Sequence, residues 1–386
     1  MTRLRRLLGQ HPRLYGWLAA DLVVLAAYGV CRENRAWMNA FASQVTGPLK
    51  EALGRLCYHT EISVMEVLAA ALVIGAVLYI LGSVVMVVRT SRERRGRRAW
   101  GAVLGALCTG LLIWDGFCLL WGVNYWTDSF QDLSGIYAQP VRQEDLTAVT
   151  AEFAQKLAQA AGEVPRDENG LFAVSREEIL ADSPYVYDAL EQQFPFLAFD
   201  DTGVKGMYFS RLMSIIDFTG FYCPYTGEAN VNVDSPACLL PSTAAHEMAH
   251  QRGIASEQEC NFLAILASTT SGNPAYVYSG YLMGFIHLGN ALYRVDPETY
   301  WTIRDQLPET VEADLAYNNA YWDQFRDSVV QQASNRIYDG MLKAYGDENG
   351  IASYGTVVDL LVAYYATKQY RPAHTCAVRY IFKCGA

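Results

Sequence analysis

The sequence predicts a mainly α protein, with three N-terminal transmembrane helices in residues 1–123 and a mostly helical α+β domain with a small sheet in residues 124–386. Long apolar runs are confined to the first part. The charge also changes sign, because residues 1–123 hold 14 Lys and Arg against 7 Asp and Glu, whereas residues 124–386 hold 16 against 33. Most of the second part shows helical spacing of apolar residues. Its acidity argues against a nucleic-acid partner, which needs a basic surface.

Three segments of the first part are long and apolar enough to cross a bilayer. Val67–Val88 carries no charge, and Trp100–Val123 is interrupted only by Asp115 and has tryptophans near both ends. Leu14–Cys31 is shorter and contains Asp21. Since arginines precede it, a signal peptide is the alternative interpretation of this segment. The absence of a small-x-small cleavage pattern after it favours a membrane span.

The placement of arginines predicts how these helices are oriented. The N-terminal tail is basic and the predicted loop Arg89–Arg98 holds six arginines, so both are expected in the cytoplasm. We therefore expect a multi-pass protein of the cell membrane with a cytoplasmic N-terminus and an extracytoplasmic second part. The amphipathic segment Phe41–Leu56 is expected along the outer surface of the lipid bilayer. Asp21 and Asp115 either make a functional contact in the membrane or are structural carboxyls, protonated or bonded to a neighbouring helix.

The second part is expected to consist of helices around one non-helical stretch. Ser175-Arg-Glu-Glu178 is a capping box that opens a helix toward Gln193. Glu228–Val233 alternates in polarity and predicts an edge strand, to which an extended substrate could add as a further strand. Ordinary hairpin packing is the alternative for this stretch. The remaining predicted helices cover residues 146–161, 275–293, 297–306, 310–345 and 354–368, and two helices are the alternative for residues 310–345.

The motif His246-Glu247-Met-Ala-His250 lies on a predicted helix with Ser242 as its N-cap. The two histidines are one turn apart on a helix, so their imidazoles can share one metal ion. Glu247 lies beside the position of a zinc-bound water, where a carboxylate can act as general base. Gly253 follows at a distance suited to a left-handed turn that ends the helix.

Two acids after this turn compete for the place of a third ligand. Ser256 and Glu259 are spaced as a capping box, which gives Glu259 a structural task. Glu257 takes the first position of the new helix and is free to face the metal, so we assign it as the ligand and keep Glu259 as the alternative. Asn261, one turn further, is expected to bond to a ligand. The predicted zinc site therefore comprises His246, His250 and Glu257, with Glu247 as the catalytic residue.

This arrangement resembles two groups of zinc peptidases. The motif followed by Glu257-x-x-Cys260-Asn261 is similar to the gluzincin pattern, in which the next helix supplies the third ligand in an E-x-x-A-[DN] setting. Cys260 replaces the usual alanine, and the spacing from His250 to Glu257 is shorter than in most gluzincins. The turn at Gly253 resembles metzincins, whose third histidine would fall at Ser256. Both resemblances imply a zincin-like α+β domain and a Zn²⁺ cofactor.

The chain also resembles an uncharacterised bacterial family of membrane-anchored HExxH proteins. The resemblance extends beyond the metal motif to Trp121-Gly-Val-Asn-Tyr125, to the stretch Gly220–Asn232 and to Ser353-Tyr354-Gly355. It implies a zinc metallopeptidase without naming a substrate.

Together these patterns predict a membrane-anchored zinc hydrolase that cleaves a peptide or protein substrate. A non-catalytic receptor or scaffold with a structural metal site is the alternative, although a structural site needs no general base. Tyr354 is a candidate oxyanion donor, with packing as its alternative role. His287 and His374 are expected to be structural or surface residues. The oligomeric state cannot be inferred.

Cysteines give little further information. Cys223 with Cys238, or Cys376 with Cys384, could form a disulfide outside the cytoplasm. Cys260 is expected to be a small buried hydrophobe.

Overall fold

The computed structural model describes residues 9–326, 328–344 and 354–369. These residues form a mainly helical structure with one small sheet, as the sequence predicts. Cys376, Cys384 and His374, for which the sequence made predictions, lie outside the described residues.

The first part contains three helices that are long and apolar enough to cross a membrane. The segment predicted to be amphipathic is helical and connects the first two, with a π-helical turn at Ala42–Thr46. The helices of this part are α1 (Pro12–Cys31), α2 (Arg35–Phe41), α3 (Gly47–Cys57), α4 (Val64–Arg89) and α5 (Arg92–Leu120).

Helix α5 begins earlier than predicted. The expected arginine loop is reduced to Thr90 and Ser91, and the remaining arginines occupy the first turns of α5. Arginine has a high helix propensity, so a run of arginines extends a helix beyond its apolar segment. Asp21 and Asp115 are both buried where α1 packs against α5.

The helices of the second part surround one hydrophobic core. Helix α13 lies at its centre, between α7 and α12, and a Cβ at Gly284 would lie only 2.2 Å from Phe153 of α7. The helices are α6 (Phe130–Ser134), α7 (Gln143–Ala161), α8 (Arg176–Asp182), α9 (Asp188–Gln193), α10 (Ser210–Ile215), α11 (Leu240–Gln251), α12 (Glu257–Thr270), α13 (Pro274–Val295), α14 (Pro297–Arg304), α15 (Glu309–Asp323), α16 (Val329–Ala344) and α17 (Tyr354–Gln369).

Two of the predicted helices are divided in the structure. The helix expected from Ser175 to Gln193 breaks into α8 and α9 around Pro184, because proline cannot donate the backbone hydrogen bond that a helix interior needs. The helix expected over residues 310–345 is likewise two helices, α15 and α16.

The sheet has three short strands, β1 (Val204–Gly206), β2 (Gly220–Cys223) and β3 (Glu228–Val231), in the order β1-β3-β2. Strand β3 pairs in parallel with β1 and antiparallel with β2. The prediction that residues 228–233 form an edge strand is therefore wrong, because β1, which the sequence did not reveal as a strand, covers that edge. Within the described sheet, β2 is an edge strand and lies against α11.

A buried ion pair joins the sheet to the first part of the chain. Lys205 Nζ lies 2.7 Å from Glu228 Oε1, and both side chains are almost fully buried. The Glu228 carboxylate also accepts hydrogen bonds from the backbone amides of Val64 and Met65, at the start of α4. Lys205 donates to the carbonyl of Cys57. The loop before α4 is thus fixed to the sheet.

The cysteines of the second part that the structure describes are free thiols. Cys223 and Cys238, one of the two pairs considered for a disulfide, are both buried and unbridged. Cys238 belongs to the main hydrophobic core, whereas Cys223 lies at the end of β2. Cys260 is fully buried, as predicted for a small apolar residue.

Candidate metal centre

Helix α11 carries the histidine motif and has one face in the core. Ala244, Ala245, Met248 and Ala249 are completely buried on that face. The predicted N-cap is wrong: the helix begins at Leu240, and the Ser242 hydroxyl donates to the carbonyl of the residue at the cap, Leu239. Pro241 in the first turn fixes the helix start instead, because its missing N–H would have no partner there.

The turn between α11 and α12 follows the sequence prediction. Gly253 has φ +86°, a left-handed conformation that glycine adopts without steric penalty. Its amide donates to the carbonyl of His250, which closes the end of α11. Ser256 is the N-cap of α12, and Glu257 is the first residue of that helix. The turn therefore places Glu257 next to the two histidines.

The structure brings His246, His250 and Glu257 together, with one ligand atom from each within 4.8 Å of the others. His246 Nε2 lies 3.2 Å from Glu257 Oε2, and His250 Nε2 lies 3.6 Å from Glu257 Oε1. Burial alone would raise the pKa of the Glu257 carboxyl, but the two imidazoles outweigh it and hold the pKa well below its usual range. The carboxylate is thus ionised and suited to a cation.

The alternative ligand, Glu259, points elsewhere. Its carboxylate accepts hydrogen bonds from the backbone amides of Phe130 and Gln131, at distances of 3.0 and 3.2 Å. It therefore caps the N-terminus of α6. Only half of the predicted capping box forms. The Ser256 hydroxyl accepts a hydrogen bond from the Glu259 amide, but the Glu259 carboxylate binds the α6 amides and not the Ser256 amide.

Each histidine is oriented by a partner on its other ring nitrogen. His246 Nδ1 lies 2.8 Å from Asn261 Oδ1, the contact expected from the spacing of Asn261 and Glu257. His250 Nδ1 lies 2.8 Å from the carbonyl of Ile254. These partners occupy Nδ1 of each ring, so Nε2 is the atom that each histidine presents toward Glu257 and toward a metal.

Glu247 is packed between the histidines and strand β2. It is 4% exposed, and a Cβ at Gly220 would lie 2.4 Å from Glu247 Oε1. Burial raises the pKa of the Glu247 carboxyl, while the two imidazoles act in the opposite direction. The glycine at the start of β2 is therefore what leaves room for this carboxylate.

The site opens into a cleft of about 550 Å³ between α11, β2, α16 and the C-terminal end of α5. The indole of Trp121 packs edge-on against the His250 ring, with 5.4 Å between the centroids. Seven of the lining residues are aromatic: Phe117, Trp121, Tyr125, Phe218, Phe221, Tyr222 and Tyr338.

One protein-family model matches most of the chain. The family model described as "Protein of unknown function (DUF3810)" matches residues 42–362. The chain belongs to the DUF3810 family. No curated protein and no solved structure matches it. The DUF3810 match includes α4, α5 and every residue of the candidate metal centre.

The DUF3810 chain has a further polar residue at the centre that the sequence did not single out. The hydroxyl of Tyr338, on α16, donates to Glu257 Oε1 and lines the cleft. Desolvation and the Glu257 carboxylate raise the pKa of Tyr338, so the hydroxyl keeps its proton. Tyr354, the predicted donor, begins α17, but its side chain is outside the described residues. Nothing in the sequence distinguishes Tyr338 among 25 tyrosines.

Proposed function

We propose that this DUF3810 protein is a membrane-anchored, zinc-dependent hydrolase that cleaves peptide bonds. The observation that carries the proposal is the grouping of His246, His250 and Glu257 beside a buried carboxylate at the wall of an open cleft. Two imidazoles and one carboxylate are the donor set of many catalytic zinc sites, which keep a fourth position for water or substrate.

The residues present fit a zinc ion. Both histidines have their Nδ1 atoms occupied, which leaves Nε2 for a metal, and Glu257 is ionised. When bound, zinc supplies Lewis acidity, which polarises a carbonyl group and acidifies water.

Glu247 has the position of a general base in this proposal. Its buried carboxylate takes the proton of the attacking water and later delivers it to the nitrogen of the leaving amine. The raised pKa matches this task, because a carboxylate with a higher pKa is a stronger base and accepts the proton of water more readily.

Two further parts of the cleft support peptide as the substrate class. Strand β2 presents an edge beside Glu247, where an extended chain can add by backbone hydrogen bonds. The Tyr338 hydroxyl lines the cleft beside Glu257 and replaces Tyr354 as our candidate for oxyanion stabilisation. Because strand β2 lies against α11, the helix that carries the histidines, we propose a zincin-like fold for the second part.

The proposed location follows from charge. The six arginines between Arg89 and Arg98 favour the cytoplasmic side for that end of α4 and α5. The metal centre lies at the opposite end of α5 and is therefore proposed to be extracytoplasmic.

The test uses the full chain in lipid nanodiscs. Zinc content is measured by elemental analysis, and hydrolysis is measured on a peptide library. We expect Glu247→Gln to retain about one zinc per chain and to lose hydrolysis by about 100-fold or more, because it cannot accept a proton. Glu144→Gln, an exposed carboxylate on α7, is the matched control and should behave as the unmodified protein.

Two results would contradict the proposal. Full hydrolysis by Glu247→Gln would remove Glu247 from the mechanism. Stoichiometric zinc with no hydrolysis by the unmodified chain would favour the structural metal site of a receptor or scaffold.

A further inference from the structure

The candidate metal centre lies directly at the C-terminal end of α5. This helix ends at Leu120, and the next residue, Trp121, packs against the ring of His250. Phe117, in the last turn of α5, lines the cleft itself. A membrane-crossing helix thus forms part of the wall of the site.

The length of α5 places its C-terminal end at the bilayer surface. The helix has 29 residues, of which Arg92–Arg98 are too basic for the hydrocarbon region. Crossing about 30 Å of hydrocarbon takes about 20 residues at 1.5 Å each. Counted from Trp100, that length ends at Leu119. The cleft is therefore level with the bilayer interface and not held above it on a stalk.

The edge strand rests on the same helix. Tyr225, in the turn after β2, donates a hydrogen bond to the carbonyl of Ile113 and packs against Gly116. Trp114 is exposed on α5 and stacks on Phe117 with 5.4 Å between the ring centroids. Phe221 of β2 is 39% exposed at the cleft. An apolar path therefore runs from the outer surface of α5 to the β2 edge.

A second contact, at the start of α4, also places the second part of the chain at the bilayer surface. Glu66, in the first turn of α4, accepts hydrogen bonds from the backbone amides of Tyr208 and Phe209. The side chains of these two residues are 85% and 51% exposed, and exposed Leu212 follows them. Apolar side chains held at the start of a membrane-crossing helix are typical of an interfacial belt. The second part of the chain thus has exposed apolar side chains beside the start of α4 as well as beside the end of α5.

We propose that the metal centre cleaves polypeptides held at the bilayer by an apolar anchor, at bonds a few residues from that anchor. The proposal rests on the hydrolase function above and adds its substrate class. An extended chain covers at most about 3.5 Å per residue, and because the cleft is level with the interface, only a few residues separate the anchor from the bond that is cut. The anchor travels along the apolar surface of α5, and the segment next to it adds to the β2 edge.

The experiment compares one cleavable sequence in three forms. The full chain is reconstituted in vesicles of phosphatidylethanolamine and phosphatidylglycerol. The sequence, chosen from the peptide library, is supplied as a soluble peptide, behind a transmembrane segment, or behind an N-terminal acyl chain, with spacers of 3, 6, 12 and 25 residues. We expect the anchored forms to exceed the soluble form in kcat/KM by about tenfold or more at short spacers and to approach it at the longest. The two anchors show whether a peptide span or a lipid chain is preferred.

A second readout does not depend on hydrolysis. In the Glu247→Gln background, Phe221 is replaced with a photoreactive phenylalanine analogue, and exposed Tyr293 on α13 is replaced in the same way as control. We expect the analogue at position 221 to cross-link the anchored peptide in preference to the soluble one, and the analogue at 293 to capture neither.

The results separate this inference from the proposed function. Equal kcat/KM and equal cross-linking for anchored and soluble peptides would overturn the substrate class and leave the hydrolase intact. Selective cross-linking without hydrolysis of any form would support the anchored ligand and refute the hydrolase.

Discussion

Replacing Gly220 with alanine tests whether strand β2 sets the position of the proposed base. The three nearest atoms to the new Cβ all belong to Glu247, at 2.4 Å for Oε1 and 2.7 Å for both Cδ and Cγ. Ordinary van der Waals contact begins near 3.4 Å, so the carboxylate must move by about 1 Å. The backbone of Gly220 is outside the left-handed region, and alanine is therefore compatible with the strand.

A shift of this size should reduce catalysis more than folding. Misplacement of a reacting group by about 1 Å can lower kcat by about 100-fold. Overpacking typically costs about 1–3 kcal/mol of stability. Because the new Cβ meets Glu247 first and not one of the three ligands, zinc content should be unchanged.

The assay is kcat on a library-derived peptide, together with zinc content and the thermal unfolding midpoint in nanodiscs. Gly355→Ala is the control, since a Cβ there meets nothing within 4 Å and the residue is helical. Wild-type kcat in Gly220→Ala, with the fold and zinc retained, would show that the reaction does not depend on where Glu247 lies.

Three further outcomes are expected. Asn261→Ala removes the acceptor of His246 Nδ1 and should weaken zinc binding by about 10- to 100-fold in a chelator competition, whereas unchanged affinity would mean that the contact does not orient the ligand. Tyr338→Phe should lower kcat by about 100-fold with zinc retained; loss of zinc alone would assign the hydroxyl to positioning Glu257. Burial lowers the pKa of Lys50 from 10.5 to about 8. The unfolded chain keeps that proton to higher pH, so the unmodified protein should gain stability as the pH rises from about 8 to 10.5. Its thermal unfolding midpoint should therefore rise relative to that of Lys50→Met over this range. Parallel plots of the two midpoints against pH would contradict this.

The part of the site that the sequence predicts is the part built by local contacts. The two histidines share a helix face, Gly253 needs a left-handed turn, and Glu257 and Asn261 are one turn apart. Helix periodicity and turn chemistry determine each of these relations within a few residues. They could therefore be predicted before any tertiary structure was known, although metal binding itself stays a prediction.

The remaining features depend on contacts across the chain. Glu259 bonds to amides about 130 residues earlier, and Tyr338 reaches Glu257 from 81 residues later. Strand β3 is central only because the unpredicted strand β1 pairs with it. A single sequence does not reveal such pairings, because the local pattern around each residue is the same whether or not its distant partner is present.

The ion pair of Lys205 and Glu228 bears on whether the second part can stay folded when it is detached from the first. A fragment that begins at residue 124 would lose the amides of Val64 and Met65 and the carbonyl of Cys57, all of which this pair binds. A buried pair that loses its surrounding partners is a source of instability. Proteolytic release from the membrane should therefore destabilise the second part, and the proposed hydrolase activity should be confined to the membrane that carries the intact chain.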